Sequence, residues 1–553
     1  MPLLEIPPVD RMRPIGEVAE ETGILPEEIE HYGRYMAKLK LSLLERLGPR
    51  PDGRLVLVTA MTPTKAGEGK TTVAIGLSQA LNRTGRHSVV VLREPSLGPM
   101  FGTKGVGTGG GRARVVPTMD INLHFTGDLY AVASANNLAA AVMDNHITRG
   151  NELLIDPNRV VWRRCLDVSD RGLRSVVTGI GPGTGVTRTD SFTISAASEV
   201  MAMLCMATDI ADLERRLGDA IVAYTYRGKP IRIRDLHVQG SMAFLLKDAI
   251  RPNLVQTVEN TAAIVHGGPF ANIAHGTASL ISIRMARGLA DYPVVEAGFG
   301  SELGAEKFFN IVARAGEFGV AAAVVVASAR ALRYQGGVPH SAADRPDPAA
   351  LERGLPNLAR HLENVRTHGV LPVIALNLYG DESGDEIEAV RAFAEAEGVP
   401  FATVDAYRRG GEGALELAER VVETADAGAG LRFLYDLDMH IEGKIRRIVG
   451  AMYGVGNVVL TGRARERAKQ LESWGFGRLP VCMAKSPFSL CHDPKVRGVP
   501  DPDLVCTVQD LSVSAGAGFI VAYTENVNLM PGLPAHPIAE RIFLTMDGSV
   551  GGI

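Results

Sequence analysis

The chain has 553 residues, too many for one hydrophobic core, and the length implies about three or four domains. Its apolar content of 46% and charged content of 22% suit a soluble globular protein, and a formal net charge of −4 argues against nucleic-acid binding, whose footprint is usually basic. Five cysteines without CxxC spacing favour free thiols in a reducing cytoplasm over disulfides or a zinc site. No basic region followed by an apolar core opens the chain, and the longest apolar run, 320–329, is too short to cross a bilayer, so neither signal peptide nor membrane contact is expected.

In chain order, residues 14–46 read as helical, with Pro26-Glu27-Glu28 as a helix start and Gly33 as an interruption. Pro49 to Gly53 breaks the chain. Residues 54–81, RLVLVTAMTPTKAGEGKTTVAIGLSQAL, then run from an apolar strand through a Pro/Gly-rich turn into an apolar-periodic helix. This is the layout of a P-loop, in which backbone N–H groups and the positive end of a helix meet phosphate oxygens. Thr64, Ala66, Gly67, Glu68, Gly69, Lys70, Thr71 and Thr72 are the expected phosphate-binding residues. Lys70 would reach the β/γ-phosphates of ATP and the Thr71 hydroxyl would ligate Mg²⁺. Thr64 stands where the first glycine of GxxxxGK[ST] belongs, and the alternative is a purely structural turn.

A second strand, 88–92, ends in Arg93 and Glu94, which places both beside the phosphate loop at the carboxyl end of a parallel sheet. The planar fork of Arg93 suits a carboxylate or phosphate; a surface ion pair is the alternative. Residues 101–128, with Gly109-Gly110-Gly111, cannot form a regular helix and are expected to be a loop, either flexible or folded against a ligand. Its last nine residues, DINLHFTGD, concentrate polar groups with catalytic potential, and a helix over 129–147 follows.

At this point TPTKAGEGKTT, EPSLGPMFGTKG, DINLHFTGD and ANNLAAAVMDNHI together resemble the formate–tetrahydrofolate ligase family. The likeness continues through VHGGPFANIAHG, EAGFGSELGAEKFF, HLENVRTHG, GGEG and SAGAGFIV to MPGLP, essentially end to end. The resemblance implies a reaction in which ATP phosphorylates formate to formyl phosphate. Its carbon is then attacked by N10 of tetrahydrofolate, giving 10-formyltetrahydrofolate, ADP and phosphate. Lys70, Mg²⁺, Arg93 and Glu94 would then serve the acyl phosphate, Asp128 matches the candidate base, and His124 is a second catalytic candidate or a satisfied core histidine. A homotetramer and a stimulatory monovalent cation (K⁺ or NH₄⁺) are also implied.

Departures from the family pattern cluster at the folate end. Tyr379 and Tyr407 stand where a Phe and a Trp sandwich the pterin, and stacking survives both changes. Arg112 and Arg114 replace Tyr and Gln, Met119 replaces an acidic residue, and Gln335 replaces a His. Local charge moves by about three units toward positive. These changes are either neutral drift or the mark of a more anionic amine substrate. Lys65, in KAGEGKTT, also resembles the first lysine of signature-lysine ATPase switches, a different class of function.

Beyond the glycine loop, strands over 175–179, 262–266, 292–296 and 321–327 alternate with helices over 196–208 and from near His275, so a doubly wound, mainly parallel α/β core is expected. Gly267-Gly268-Pro269 falls at a βα-loop where substrates bind, while His266 and His275 beside it carry no metal spacing. A polar, Pro-rich stretch at 341–348 marks a boundary. The expected domains are a P-loop domain over 1–345, a small α/β domain over 346–428 that contributes to the folate pocket, and a C-terminal α/β domain over 429–553. The second would hold helices at 349–367, 382–397 and 412–424 around strands at 373–377 and 401–404. The third would hold helices at 435–452 and 463–474, with strands at 458–461, 479–485, 504–513 and 519–524.

Overall fold

A computed structural model describes residues 12–48, 53–102, 107–428, 430–525, 527–546 and 550–552. The first residues, the Pro-rich break at 49–52 and positions 103–106 of the glycine loop lie outside the described residues.

The organising element is a mixed, mainly parallel sheet of twelve strands. In chain order they are β1 (Ile29–His31), β2 (Ala37–Leu39), β3 (Val56–Ala60), β4 (Val90–Leu92), β5 (Gly109–Gly110), β6 (Ala113–Val116), β7 (Asn253–Thr257), β8 (Ala262–Val265), β9 (Val294–Glu296), β10 (Ala322–Ala327), β11 (Pro372–Asn377) and β12 (Phe401–Val404). Across the sheet they run β1-β2-β7-β8-β4-β9-β3-β10-β11-β12, with β6 on β7 and β5 on β6. The pairs from β8 to β12 are all parallel. These strands are apolar on both faces because helices cover both; β10, AAVVVA, is buried at every position.

Side chains alternate between two cores. On β3, Val56, Val58 and Ala60 pack with Val73, Ala74 and Leu77 of helix α1 (Lys70–Arg83). Leu57 and Met61 face the opposite core with Val91, Val295 and Leu358.

Three expectations are corrected. Residues 14–46 are not one helix. Helices Ile15–Glu21 and Ser42–Leu47 flank a short 3₁₀ turn and the β1–β2 hairpin, which Gly33 turns at φ +76°. Pairing of β2 with β7 supplies long-range hydrogen bonds that local propensity does not register. Within the stretch expected to be a loop, Gly109 to Val116 fold as a hairpin, and a Cβ on Gly111 would lie 1.9 Å from the Tyr407 carbonyl oxygen. The helix expected near His275 starts at Leu280, where the Ser279 hydroxyl accepts from Ser282 N.

The stretch at 341–348 does not interrupt the sheet, since β11 and β12 extend it past β10. After residue 430 a smaller lobe has its own apolar core. It pairs Asn457–Leu460 with Val505–Val508, and Phe519–Tyr523 with both Val481–Ala484 and Asp510–Ser514. The expected helix at 435–452 is Ile441–Ile448, continued by a π-turn.

The lobe meets the main sheet through two π-turns after β9, Ser301–Ala305 and Phe308–Ala313. Fully buried Lys485 donates to Glu302 at 3.1 Å, and Asn310 donates to Glu306 at 2.9 Å. Burial lifts the Glu306 carboxyl from 4.5 to about 7. Folding therefore holds its proton more tightly than the unfolded chain does. The stability it contributes is complete below about pH 4.5 and is lost as pH rises through about 7. Glu306→Gln should gain on the wild type between pH 5 and pH 8 by on the order of 2 kcal/mol. Denaturant midpoints that move in parallel at both pH values would count against this.

Candidate functional site

The parallel strands deliver their carboxyl ends to one edge, where open α/β sheets bind ligands. β3 leads into the candidate phosphate loop, β4 into Arg93, β8 into Gly267-Gly268-Pro269 and β9 into Ala297-Gly298. β10 leads to Ser328, β11 to Tyr379 and β12 to Tyr407.

Gly67 and Gly69 sit at φ +78° and +75°, so the chain turns sharply before α1 begins at Lys70, where the first-turn amides of a helix lack intrahelical partners. Thr64 has no positive φ, which is why a glycine is dispensable there. Glu68, expected among the phosphate contacts, points its side chain inward: it accepts from Thr64 N at 2.6 Å and from the Ser328 hydroxyl. The carboxylate thereby braces the loop from behind, and the Glu68 N–H remains part of the loop backbone. Ala66 and Lys65 are exposed, whereas Thr72 lies against Gly110. Burial lowers the pKa of the Lys70 ammonium, while Glu296 and Glu68 oppose that shift.

Glu296 was not among the expected site residues. It ends β9, next to β3, and its Oε2 accepts from the Thr71 hydroxyl at 2.9 Å. The signal was present in Pro293-Val294-Val295-Glu296, an apolar strand ending in an acid, but only the adjacency of β9 to β3 gives it meaning. Thr71 and Glu296 present hard oxygens at one point, a donor set that fits Mg²⁺ held partly by substrate phosphates. Among the described residues no cluster of three or more His, Cys, Asp or Glu is placed to hold a metal.

Arg93 is half-buried and rests beside Gly298, where a Cβ would come within 3.2 Å of Nη2. Among the described residues its one hydrogen bond runs from Nη1 to the Pro269 carbonyl at 3.3 Å, so most of the fork is uncommitted. Glu94 turns the other way and is buried. Burial first, and then the negative charge of Asp128, push its carboxyl well above the usual range.

Asp128 is the first residue of helix α2 (Asp128–Thr148), with a 2% exposed side chain. Both its oxygens accept from Lys38 Nζ at 2.6 Å, and Oδ2 also accepts from Asn253 Nδ2 at 2.9 Å. Lys38 arrives on β2, the strand that the helical expectation missed. His124 is exposed on the preceding turn and, among the described residues, is tied to none of the others. It is not a core histidine. His266 and His275, by contrast, are buried and lowered by burial to about 4 and about 3, and hence neutral. His266 has a structural role, bonded to Ser279 and the Ala249 carbonyl at 2.6 Å each.

The two tyrosines flank the loop. Tyr379 Oη donates to the Gly67 carbonyl at 3.2 Å, and Tyr407 packs on Gly110 and Gly111. The arginine pair is split: Arg112 is exposed beside Tyr407, whose carbonyl accepts from Arg112 N at 2.9 Å, whereas the Arg114 side chain is buried within β6. One added arginine, not two, is thus displayed to solvent there.

The family profile described as formate–tetrahydrofolate ligase matches residues 3–553. A formate–tetrahydrofolate ligase of Symbiobacterium thermophilum is 50% identical over 545 residues, covering 98% of this chain and 98% of its own length.

Proposed function

Because the chain belongs to the formate–tetrahydrofolate ligase family, and is a ligase on that ground, we propose that it couples ATP to the joining of formate and tetrahydrofolate through formyl phosphate. The observation that carries the reading is the meeting of the phosphate loop, the Thr71–Glu296 pair and the open fork of Arg93 at one sheet edge. A formate oxygen attacks the γ-phosphorus and ADP leaves; Lys70 and the loop amides hold the phosphates in line. Mg²⁺, held by Thr71 with Glu296 behind it, would supply charge neutralisation between the phosphates. Arg93 clamps the acyl phosphate, whose carbonyl carbon is now a usable electrophile. The N10 lone pair of tetrahydrofolate attacks that carbon, phosphate departs with the C–O bonding pair, and the amine proton passes to Asp128. Tyr379 and Tyr407 hold the flat pterin ring. The homotetramer, the K⁺ or NH₄⁺ requirement and the cytoplasmic location come with the same reading.

ADP release by the purified enzyme, with formate and tetrahydrofolate added separately and together, tests it. Turnover that requires both and yields a 10-formyl product is expected. Formate-dependent turnover only with another amine would overturn the acceptor, and turnover indifferent to formate would overturn the reaction. In the same assay Glu296→Gln should raise the Mg²⁺ concentration for half-maximal rate by about tenfold or more. An unchanged Mg²⁺ response would remove Glu296 from the metal's surroundings.

A further inference from the structure

The mechanism leaves one contact unused, the reach of Tyr379 across to the phosphate loop. The end of β11 and the turn after it grip two consecutive loop carbonyls: Asn377 Nδ2 donates to Glu68 O at 3.1 Å and Tyr379 Oη donates to Gly67 O at 3.2 Å. Burial pushes the Tyr379 hydroxyl up, so it remains a protonated donor across the working pH range. Its backbone is fixed on both sides, with Tyr379 N donating to Glu382 at 2.8 Å and Arg408 donating to Tyr379 O at 2.9 Å. The Arg330 guanidinium stands 4.7 Å from the ring centroid and is itself held by Asp381 at 2.5 Å. Gly67 is the opposite case. It is exposed, at φ +78°, and an added Cβ would meet nothing within 4 Å. The Tyr379 hydroxyl is therefore the outside restraint on the Gly67 carbonyl, whose peptide leads directly into the phosphate-facing amides.

We propose that the Tyr379 hydroxyl is a tether that makes the acceptor and the nucleotide bind cooperatively: ring stacking on Tyr379 steadies the Gly67 peptide and so preorders the phosphate loop. The proposal rests on the reading above that Tyr379 stacks on the pterin. A ligand that immobilises the ring bears part of the cost of ordering the loop, so the second ligand binds more tightly, and linkage makes the effect reciprocal. A phenylalanine would stack equally well and could not couple. Tyr379 is a positioning residue here, acting through the loop.

The test is the ratio of nucleotide dissociation constants with and without saturating tetrahydrofolate. It is measured by calorimetry with ADP and Mg²⁺ on the full chain and on Tyr379→Phe. One neutral hydrogen bond sets the scale, so tetrahydrofolate should tighten ADP binding about three- to tenfold in the wild type. In Tyr379→Phe the ratio should fall close to one. Asn377 still holds the loop in that variant, and ADP binding measured alone checks that it does. A ratio that survives in Tyr379→Phe, or its absence from the wild type while both ligands bind, overturns the tether and leaves the proposed reaction standing. Failure of tetrahydrofolate to bind either protein overturns both.

Discussion

Lys70→Met is expected to lower formate- and tetrahydrofolate-dependent ADP release by about a thousandfold or more, with little change in the thermal midpoint. Lys70 is the first residue of α1 and is half-buried, flanked by the negative charges of Glu296 and Glu68. In the proposed reaction its ammonium lies where charge accumulates on the transferred phosphoryl group. Removing one such preorganised charge typically costs about 10²–10³ in rate, and loss of the phosphate clamp adds misplacement to that. Lys65→Ala provides the contrast. That side chain is exposed, and its loss should change turnover less than about threefold. An ATPase switch built on Lys65 would show the reverse: formate-independent hydrolysis that rises with enzyme concentration and collapses in Lys65→Ala. A Lys70→Met enzyme retaining a tenth of wild-type turnover would remove the phosphate loop from the chemistry.

The second large effect concerns the buried pair of Lys38 and Asp128. Lys38→Met should destabilise the protein by about 3–5 kcal/mol, because it strands the Asp128 carboxylate in a dry site beside Glu94. Asp128→Asn should lower kcat by about 10²–10⁴, the range for loss of a positioned base. It also strands the Lys38 ammonium, so activity and stability would fall together in that single variant. The double variant separates them. With both charges gone, the thermal midpoint should recover most of the loss, while kcat stays as low as in Asp128→Asn. Recovery of both would make Asp128 a structural counter-ion; recovery of neither would mean that Asn253 and Glu94 depend on the pair for their own placement.

Much of the site was legible because its chemistry is local. Strand, turn and helix follow one another within residues 54–81, and the glycines that the turn needs, Gly67 and Gly69, adopt the positive φ their positions call for. Arg93 could be placed by a general rule about strand ends, without knowing which strands pair. Contacts between segments far apart in sequence were not legible. Glu296 becomes a partner of Thr71 only when β9 docks beside β3, 225 positions away along the chain. The Glu68 carboxylate finds its partner on the inner side only through Ser328, which follows β10, 260 positions away along the chain. Arg112 and Arg114 look equivalent as letters, yet Arg112 falls in the hairpin turn before β6 and is exposed, whereas Arg114 lies within β6, which pairs with β7, and is buried.

The sequence by itself determined that this is a long, mildly acidic α/β chain with a glycine-rich strand–turn–helix over 54–81 and an end-to-end series of ligase motifs. Those properties reside in composition, in periodicity and in motifs a few residues long. Only the tertiary structure decided that residues 29–39 form a hairpin carrying Lys38 to Asp128, that β11 and β12 extend the main sheet, and that Tyr379 bonds the phosphate loop. The reason is energetic. Each of these depends on hydrogen bonds or ion pairs between distant segments, and such contacts outweigh local backbone preferences of a few tenths of a kcal/mol per residue.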